Sequence, residues 1–359
     1  MDQQNQKKNQ KSQQNLKNQE NSENQENLIT QEKSNSLRRA FRDIKRGFSK
    51  IYILGNPFYL KHISFDDQID IDDVYDKYYK EAKERGVPTH EETLARLIEE
   101  DEWSEKQEGR IKQQEDFVQQ LKNNKKVQYL KKEIQRLNKD IADGIKKLNE
   151  MKNERAALFS RTAESYAEER VNDFYILKCL YKDEKLTDVA FSEKEFDDID
   201  SEDLFLIIKE YNKVYSDIND ESIQYIVLQD FYNLFMPFAE HAHEFYGKPI
   251  CDLSYNQLKL LIYSRYFRNI FNNNDKMPDH IKKDPEKIID YVNANENAKK
   301  LVDKKGEREN SAQTLVGATE EDMEYIGFKA KGEKTTSLAE EAKKKGGSLS
   351  MEDMMKLFG

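Results

Sequence analysis

The residues that come nearest to forming a chemical site are His241 and His243, with Cys251 one loop later. Zinc sites use four ligands at close, paired spacings, and a second cysteine is missing here. On a helix, residues two apart point about 200° away from each other, so the two imidazoles converge only where the helix has already ended. They read as helix-end histidines near the negative end of a helix dipole, and no metal is expected. Carboxylates cluster at Asp66-Asp67 and at Asp197-Asp198-Ile199-Asp200. Acid–base work needs two carboxyls at a defined separation in a pocket; these runs fall at helix starts and loops, where negative charge complements the dipole. Tyr246-Gly247-Lys248-Pro249 lacks the upstream glycine and the following Ser or Thr of a phosphate loop, and reads as a turn. No nucleophile–base pair is visible. The expectation is a protein that works by binding, with no enzymatic activity, no cofactor and no small-molecule substrate.

A binding protein needs surfaces, and the longest is a heptad stretch. With Val127 at position a, apolar residues follow at Leu130, Ile134, Leu137, Ile141, Leu148, Met151 and Leu158, broken only by Gly144 and Arg155. Ile111, Val118 and Leu121 keep a different register upstream. If unbroken from Ser104, a helix of about 55 residues would span roughly 80 Å. A bend or antiparallel hairpin near Asn123-Asn124 is the alternative, and sequence does not separate a self-packed hairpin from an intermolecular coiled coil. The second surface is a short basic amphipathic helix. Leu37, Phe41, Ile44 and Phe48 form its stripe, while Arg38, Arg39, Arg42, Lys45, Arg46 and Lys50 fill the other faces. Such a helix suits an anionic membrane, nucleic acid or a partner groove. The favoured expectation is that its stripe packs on its own domain, with the acids from Asp66 to Asp76 balancing its charge, because so short a helix is marginal without tertiary contacts. A third surface is the terminal peptide, which puts Met351, Met354, Met355 and Phe358 on one side for docking into a partner.

Composition sets the frame for these elements. The chain has 359 residues, 36% hydrophobic and 36% charged, with 19 Tyr and 18 Phe. It is too polar for one continuous core, yet its aromatics require at least one real core. The net charge of −10 makes nucleic acid and membrane the less expected partners. Cys179 and Cys251 sit far apart in apolar contexts and read as free buried thiols in a reducing cytoplasm. No run reaches the roughly 18 apolar residues of a spanning helix, and the N-terminus carries no signal-peptide core.

The expected fold is mainly α. Residues 1–36, rich in Gln and Asn, form a disordered tail; 37–103 hold the basic helix and a small helical region; 104–158 form the long helix or coiled coil. Residues 159–292 form a helical bundle, and 293–359 a flexible tail with short docking helices. The segment Ile51 to Leu60 is the one strand-like piece, closed by Gly55-Asn56-Pro57. Capping boxes are expected at Thr89/Glu92, Ser104/Gln107, Ser192/Glu195 and Ser254/Gln257, with Asp284 capping a helix that has Pro285 at its first position. Three bundle faces follow: Leu204 to Ile218, Ile223 to Phe238, and Leu258, Leu261, Ile262, Tyr266 and Ile270.

One further pattern suggests a family. Phe245-Tyr246-Gly247-Lys248-Pro249-Ile250, Leu253, Asn256-Gln257, Arg265, Phe267, Met277-Pro278-Asp279, Asp284-Pro285 and Tyr291 make one succession. Leu315-Val316-Gly317-Ala318-Thr319 with Asp322, Gly346-Gly347 and Met351-Glu352-Asp353-Met354 make the ending. Over residues 51–359 the chain resembles tail or baseplate-hub assembly proteins of contractile-tailed bacteriophages of the T-even-like group. The resemblance implies a structural or chaperone role among other tail or baseplate proteins, in the host cytoplasm during assembly or in the virion tail, with no catalytic residues. The partner-binding residues to expect are Val127, Leu130, Ile134, Leu137, Ile141 and Leu148, together with the terminal methionines and Phe358. A helical adaptor that reaches a membrane or nucleic acid through residues 37–48 is the competing expectation.

Overall fold

A computed structural model describes residues 31–159, 161–306 and 318–326. As expected, the protein is mainly helical, with one small sheet. Its described residues divide into two compact units built from interleaved segments: 31–72 with 172–266, and 73–171 (residue 160 apart) with 267–306 and 318–326. The sequence block 159–292 therefore contributes to both units. The tail expected over 1–36 is already helical from residue 31, and the tail expected over 293–359 begins as ordered helix to residue 306, because Ala294 and Ala298 are buried in a core cluster; residues 1–30, 307–317 and 327–359, with Met351, Met354, Met355 and Phe358, lie outside the described residues.

In the first unit, α1 (helical over 31–46) buries Leu37, Phe41 and Ile44, as the amphipathic pattern requires; Phe48, expected on the same helical stripe, is also buried but lies past the helix end, in the strand that follows. Each such burial contributes roughly 2 kcal/mol. Phe41 meets the rings of Phe231, Tyr232 and Phe235 at 5.9, 5.4 and 5.1 Å. Gly47 ends the helix with φ of +80°, its N–H donating to the carbonyls of Asp43 and Ile44. The acids of the next helix do not neutralise α1: Asp67 pairs instead with Lys61 at 2.7 Å and accepts from the Ser64 N–H and hydroxyl.

Strand β1 (Phe48–Ile53) turns directly into β2 (Asn56–Lys61), antiparallel, with Ile53 opposite Asn56. The single extended piece expected from sequence is thus a hairpin. Its two-residue turn holds both Leu54 and Gly55 at positive φ, 51° and 81°, the signature of a type I′ turn. Leucine is a poor residue there, and Leu54 is 65% exposed, so its side chain gains little in return. Leu54→Asn is expected to stabilise this unit by about 1 kcal/mol, read as a higher denaturant midpoint; an unchanged or lower midpoint would show that the turn is not strained. A third strand, β3 (Leu180–Tyr181), pairs antiparallel with β2 at Tyr59 and Leu60. Two residues long and continuous with a helix, it has no periodicity for a sequence reading to detect.

The remaining helices are α2 (Phe65–Glu84), α3 (His90–Glu99), α4 (Glu105–Lys126), α5 (Lys131–Leu158), α6 (Ala163–Cys179), α7 (Glu193–Asp197), α8 (Ser201–Asp217), α9 (Asp220–Val227), α10 (Ala242–Tyr246), α11 (Tyr255–Asn273), α12 (Pro285–Gly306) and α13 (Glu320–Tyr325). The boxes at Thr89, Ser104 and Ser192 form reciprocally, as does Ser254 with Gln257. Asp284 accepts from the N–H groups of Glu286 and Lys287. Two of the three bundle faces differ from expectation. Ile223 to Phe238 is not one helix: α9 stops at Val227 and short 3-10 turns at Asp230–Tyr232 and Met236–Glu240 follow, the second with Pro237 in its first turn. On α11 the buried residues include Leu260, Leu261, Phe267 and Ile270, while Ile262 and Tyr266 are exposed.

Candidate interaction site

The second unit is organised by α4 and α5, which pack as an antiparallel hairpin within the chain. The long helix is broken at residues 127–130, a few residues beyond the expected point. Val127 is the C-cap of α4 and is 65% exposed; Leu130 is the N-cap of α5 and is half-buried. Gly144, which interrupts the heptad seam, is a point of close approach between the two helices. A Cβ there would sit 3.0 Å from Val118 Cγ2, and the Gly144 carbonyl accepts from Gln114 Nε2 at 3.1 Å. The conformational cost of glycine in a helix is offset by this close approach.

Ile134 and Leu137 are buried, and Ile134 joins Ala294, Ala298 and Ile326 in one cluster with Tyr129, Met323 and Tyr325. Leu148 and Met151 pack with Leu97, Trp103 and Ile111 in another. Ile141 is half-buried. The heptad residues expected to bind a partner are thus largely engaged within their own unit, and Leu158 is exposed.

Polar braces fix both ends of the hairpin. Near its base, Glu108 accepts from Trp103 Nε1 at 3.0 Å and from the Arg155 guanidinium. Near the turn, Lys125 Nζ lies 2.8 Å from Glu286 and 2.9 Å from Asp290, and Asn138 Nδ2 donates to Asp290 at 3.1 Å. Burial opposes the Lys125 charge, but hydrogen bonds to Asp290 and Glu286 outweigh it and hold the ammonium above its usual range. Burial raises the Asp290 carboxyl, with Lys125 and Asn138 offsetting part of the rise. Asn297 Nδ2 donates to the carbonyls of Lys126 and Gln128. The start of α5 has no local side-chain cap; Asp322, itself capping α13 at Thr319, accepts from the Lys131 N–H at 2.9 Å. No sequence signal marks that long-range cap.

One outer face of the hairpin carries a groove of about 490 Å³. Trp103, Ile111 and Met151 supply its apolar surface, and Gln107, Arg110, Gln114, Lys147 and Glu154 its polar surface. Phe117, 48% exposed, follows Arg110 and Gln113 at i+7 and i+4 on the same side of α4. Apolar floor with polar rim is the make-up of a surface that accepts another protein element. This face is distinct from the a and d seam expected to meet a partner, and its only mark in the sequence is the lone Trp103 beside an unaccompanied Phe117.

The first unit holds the residues with the most perturbed chemistry. His62, buried, shares a 2.9 Å hydrogen bond between its Nε2 and Ser49 Oγ, and its Nδ1 has no protein partner. Burial lowers its pKa to about 4, so the ring is neutral at physiological pH. Cys179 lines the same small cavity and burial pushes its thiol up to about 12, which keeps it from being a thiolate nucleophile. Cys251, expected to be buried, is exposed in a 3-10 turn at Ile250–Asp252. His241 and His243 are both exposed, and among the described residues no group of three or more His, Cys, Asp or Glu side chains is placed to hold a metal ion.

The neutral His62 has a measurable consequence. Its folded pKa lies below the unfolded value near 6.5, so the unfolded state binds the extra proton between those limits. Stability is fully present above pH 6.5 and is lost as pH falls toward 4, by about 3 kcal/mol in all. His62→Gln should flatten that part of the pH–stability curve; an unchanged slope would mean that other groups set it.

No protein-family model, no curated protein and no solved structure matches this chain.

Proposed function

We propose that this chain is a non-enzymatic tail or baseplate-hub structural or assembly protein of a contractile-tailed bacteriophage, acting through protein–protein contacts. The observation that carries the binding role is the braced α4–α5 hairpin with its half-apolar outer groove; the residue succession from Phe245 to Tyr291 and the chain ending carry the family assignment. A hairpin held at base and turn keeps its outer face ready for a partner, so little ordering entropy is lost on binding. The groove is suited to an amphipathic helix laid along it, with apolar anchors over Ile111 and Met151 and polar flanks against Arg110, Lys147 and Glu154. The other tail or baseplate components are the proposed partners, and the C-terminal Met351, Met354, Met355 and Phe358 a second contact to them.

The test is recovery of the tagged protein from infected-cell lysate. Tail or hub components should accompany it, and proteomics of purified virions then separates a virion component, present at fixed stoichiometry, from a chaperone that is absent. Recovery without any tail or hub component rejects the proposal.

A further inference from the structure

The strongest local positive charge in the first unit lies on α1 and the start of β1. Residues 33–50 hold seven cations (Lys33, Arg38, Arg39, Arg42, Lys45, Arg46 and Lys50) and one carboxylate, Asp43. Four of the chain's 14 arginines fall between positions 38 and 46. Because Leu37, Phe41, Ile44 and Phe48 are buried, these cations are turned to the opposite side, and Arg38, Arg39, Arg42, Lys45 and Arg46 are all exposed within an arc of about 120°. Arg42 pairs with Asp43, and Arg46 lies 3.9 Å from Glu184. Among the described residues, Arg38 and Arg39 have no carboxylate partner. Several of the cations are held against rings: Arg38 over Phe231, Lys45 over Phe235, and Lys50 over Tyr52 and Tyr59. Such stacking limits side-chain motion and leaves the charge outward.

We propose that this ridge binds the phosphodiester backbone of a nucleic acid, independently of base sequence. Three observations select that occupant. With its apolar stripe buried, α1 has no face to insert into a membrane. From Arg38 to Arg46 the ridge spans roughly 12 Å, over which a duplex presents one phosphate per about 1.7 Å, a density that matches five cations so closely set. Arginine is favoured over lysine on the ridge, whereas lysine dominates the chain as a whole; the guanidinium fork engages phosphate with two parallel hydrogen bonds.

The full chain would be titrated into fluorescein-labelled DNA duplex, single-stranded DNA and RNA duplex, with anisotropy as the readout. Four neutralised phosphates predict that affinity falls about 100-fold or more between about 50 and 200 mM salt. Arg38→Gln, Arg39→Gln, Arg42→Gln and Arg46→Gln combined should weaken low-salt binding at least tenfold with the melting curve unchanged. The pair Arg38→Gln and Arg39→Gln, which breaks no ion pair, serves if the fourfold variant does not fold. Preference among the three probes identifies the nucleic acid. No binding to any probe at low salt, or equal binding by the variant, overturns the proposal. So does self-association at low salt that the variant abolishes with no probe bound, because the ridge would then meet acidic residues of a second copy.

Discussion

Ile134→Asp combined with Leu137→Asp should cost several kcal/mol, on the order of 5 or more, and unfold the unit that contains the hairpin. Ile134 is 4% exposed and packs with Ala294, Ala298 and Ile326, an apolar cluster that leaves no room for a hydrated carboxylate. An aspartate there either stays charged without a partner or takes up a proton, and both are unfavourable. The same substitutions would break an intermolecular coiled coil, so protein concentration is the deciding variable. A seam closed within one chain melts at a temperature independent of concentration, whereas an intermolecular seam gains stability as concentration rises. Thermal melts of the wild type and of the double variant over a wide concentration range, monitored by far-UV circular dichroism, read both. A wild-type midpoint that climbs with concentration would contradict a hairpin closed on itself.

The second large effect is expected from Lys125→Met. Asp290 is 5% exposed, and Lys125 supplies the cation beside it. Removing that cation strands a buried carboxylate with Asn138 as its remaining hydrogen-bond donor, which costs about 3 kcal/mol or more. Glu286 nearby makes matters worse, since it is then an unbalanced like charge. Adding Asp290→Asn should recover much of the loss, because the neutral amide no longer needs a counter-charge. The sign of the pH response is also fixed. In the single variant, Asp290 is raised further than in the wild type, so the variant is relatively less destabilised as pH falls into the carboxylate range and the carboxyl becomes protonated. Denaturant unfolding of the three proteins at neutral and acidic pH measures this directly. Additive losses in the double variant would show that the two residues do not act as a pair.

Local signals made much of the secondary structure legible. Thr89, Ser104, Ser192, Ser254 and Asp284 mark helix starts through hydrogen bonds spanning two or three residues, and the stripe of α1 follows from spacing alone. What sequence left unresolved depends on distant partners. Gly144 looks like a defect in a heptad until Val118 is set against it. Asp322 reads as part of a minor helical turn, yet it caps α5 from 191 residues away. The break between α9 and α11 was obscured because Phe231, Leu234, Phe235 and Phe238 keep a helical spacing although the backbone tightens into 3-10 turns. For the site, the heptad pattern marked the two helices of the hairpin, but an a/d seam in a hairpin is consumed by packing, and the surface left outside is polar enough to carry no periodic signal.

The binding role of that outer face is tested most directly by capture with a variant of the groove. Phe117→Asp with Lys147→Glu alters two side chains of the outer face without touching the Glu108 or Asp290 braces. The tagged wild type should recover tail or baseplate components from infected-cell lysate, and the variant should lose them while melting at the same temperature. Undiminished recovery by a variant of normal stability would contradict the assignment of this face as the binding surface.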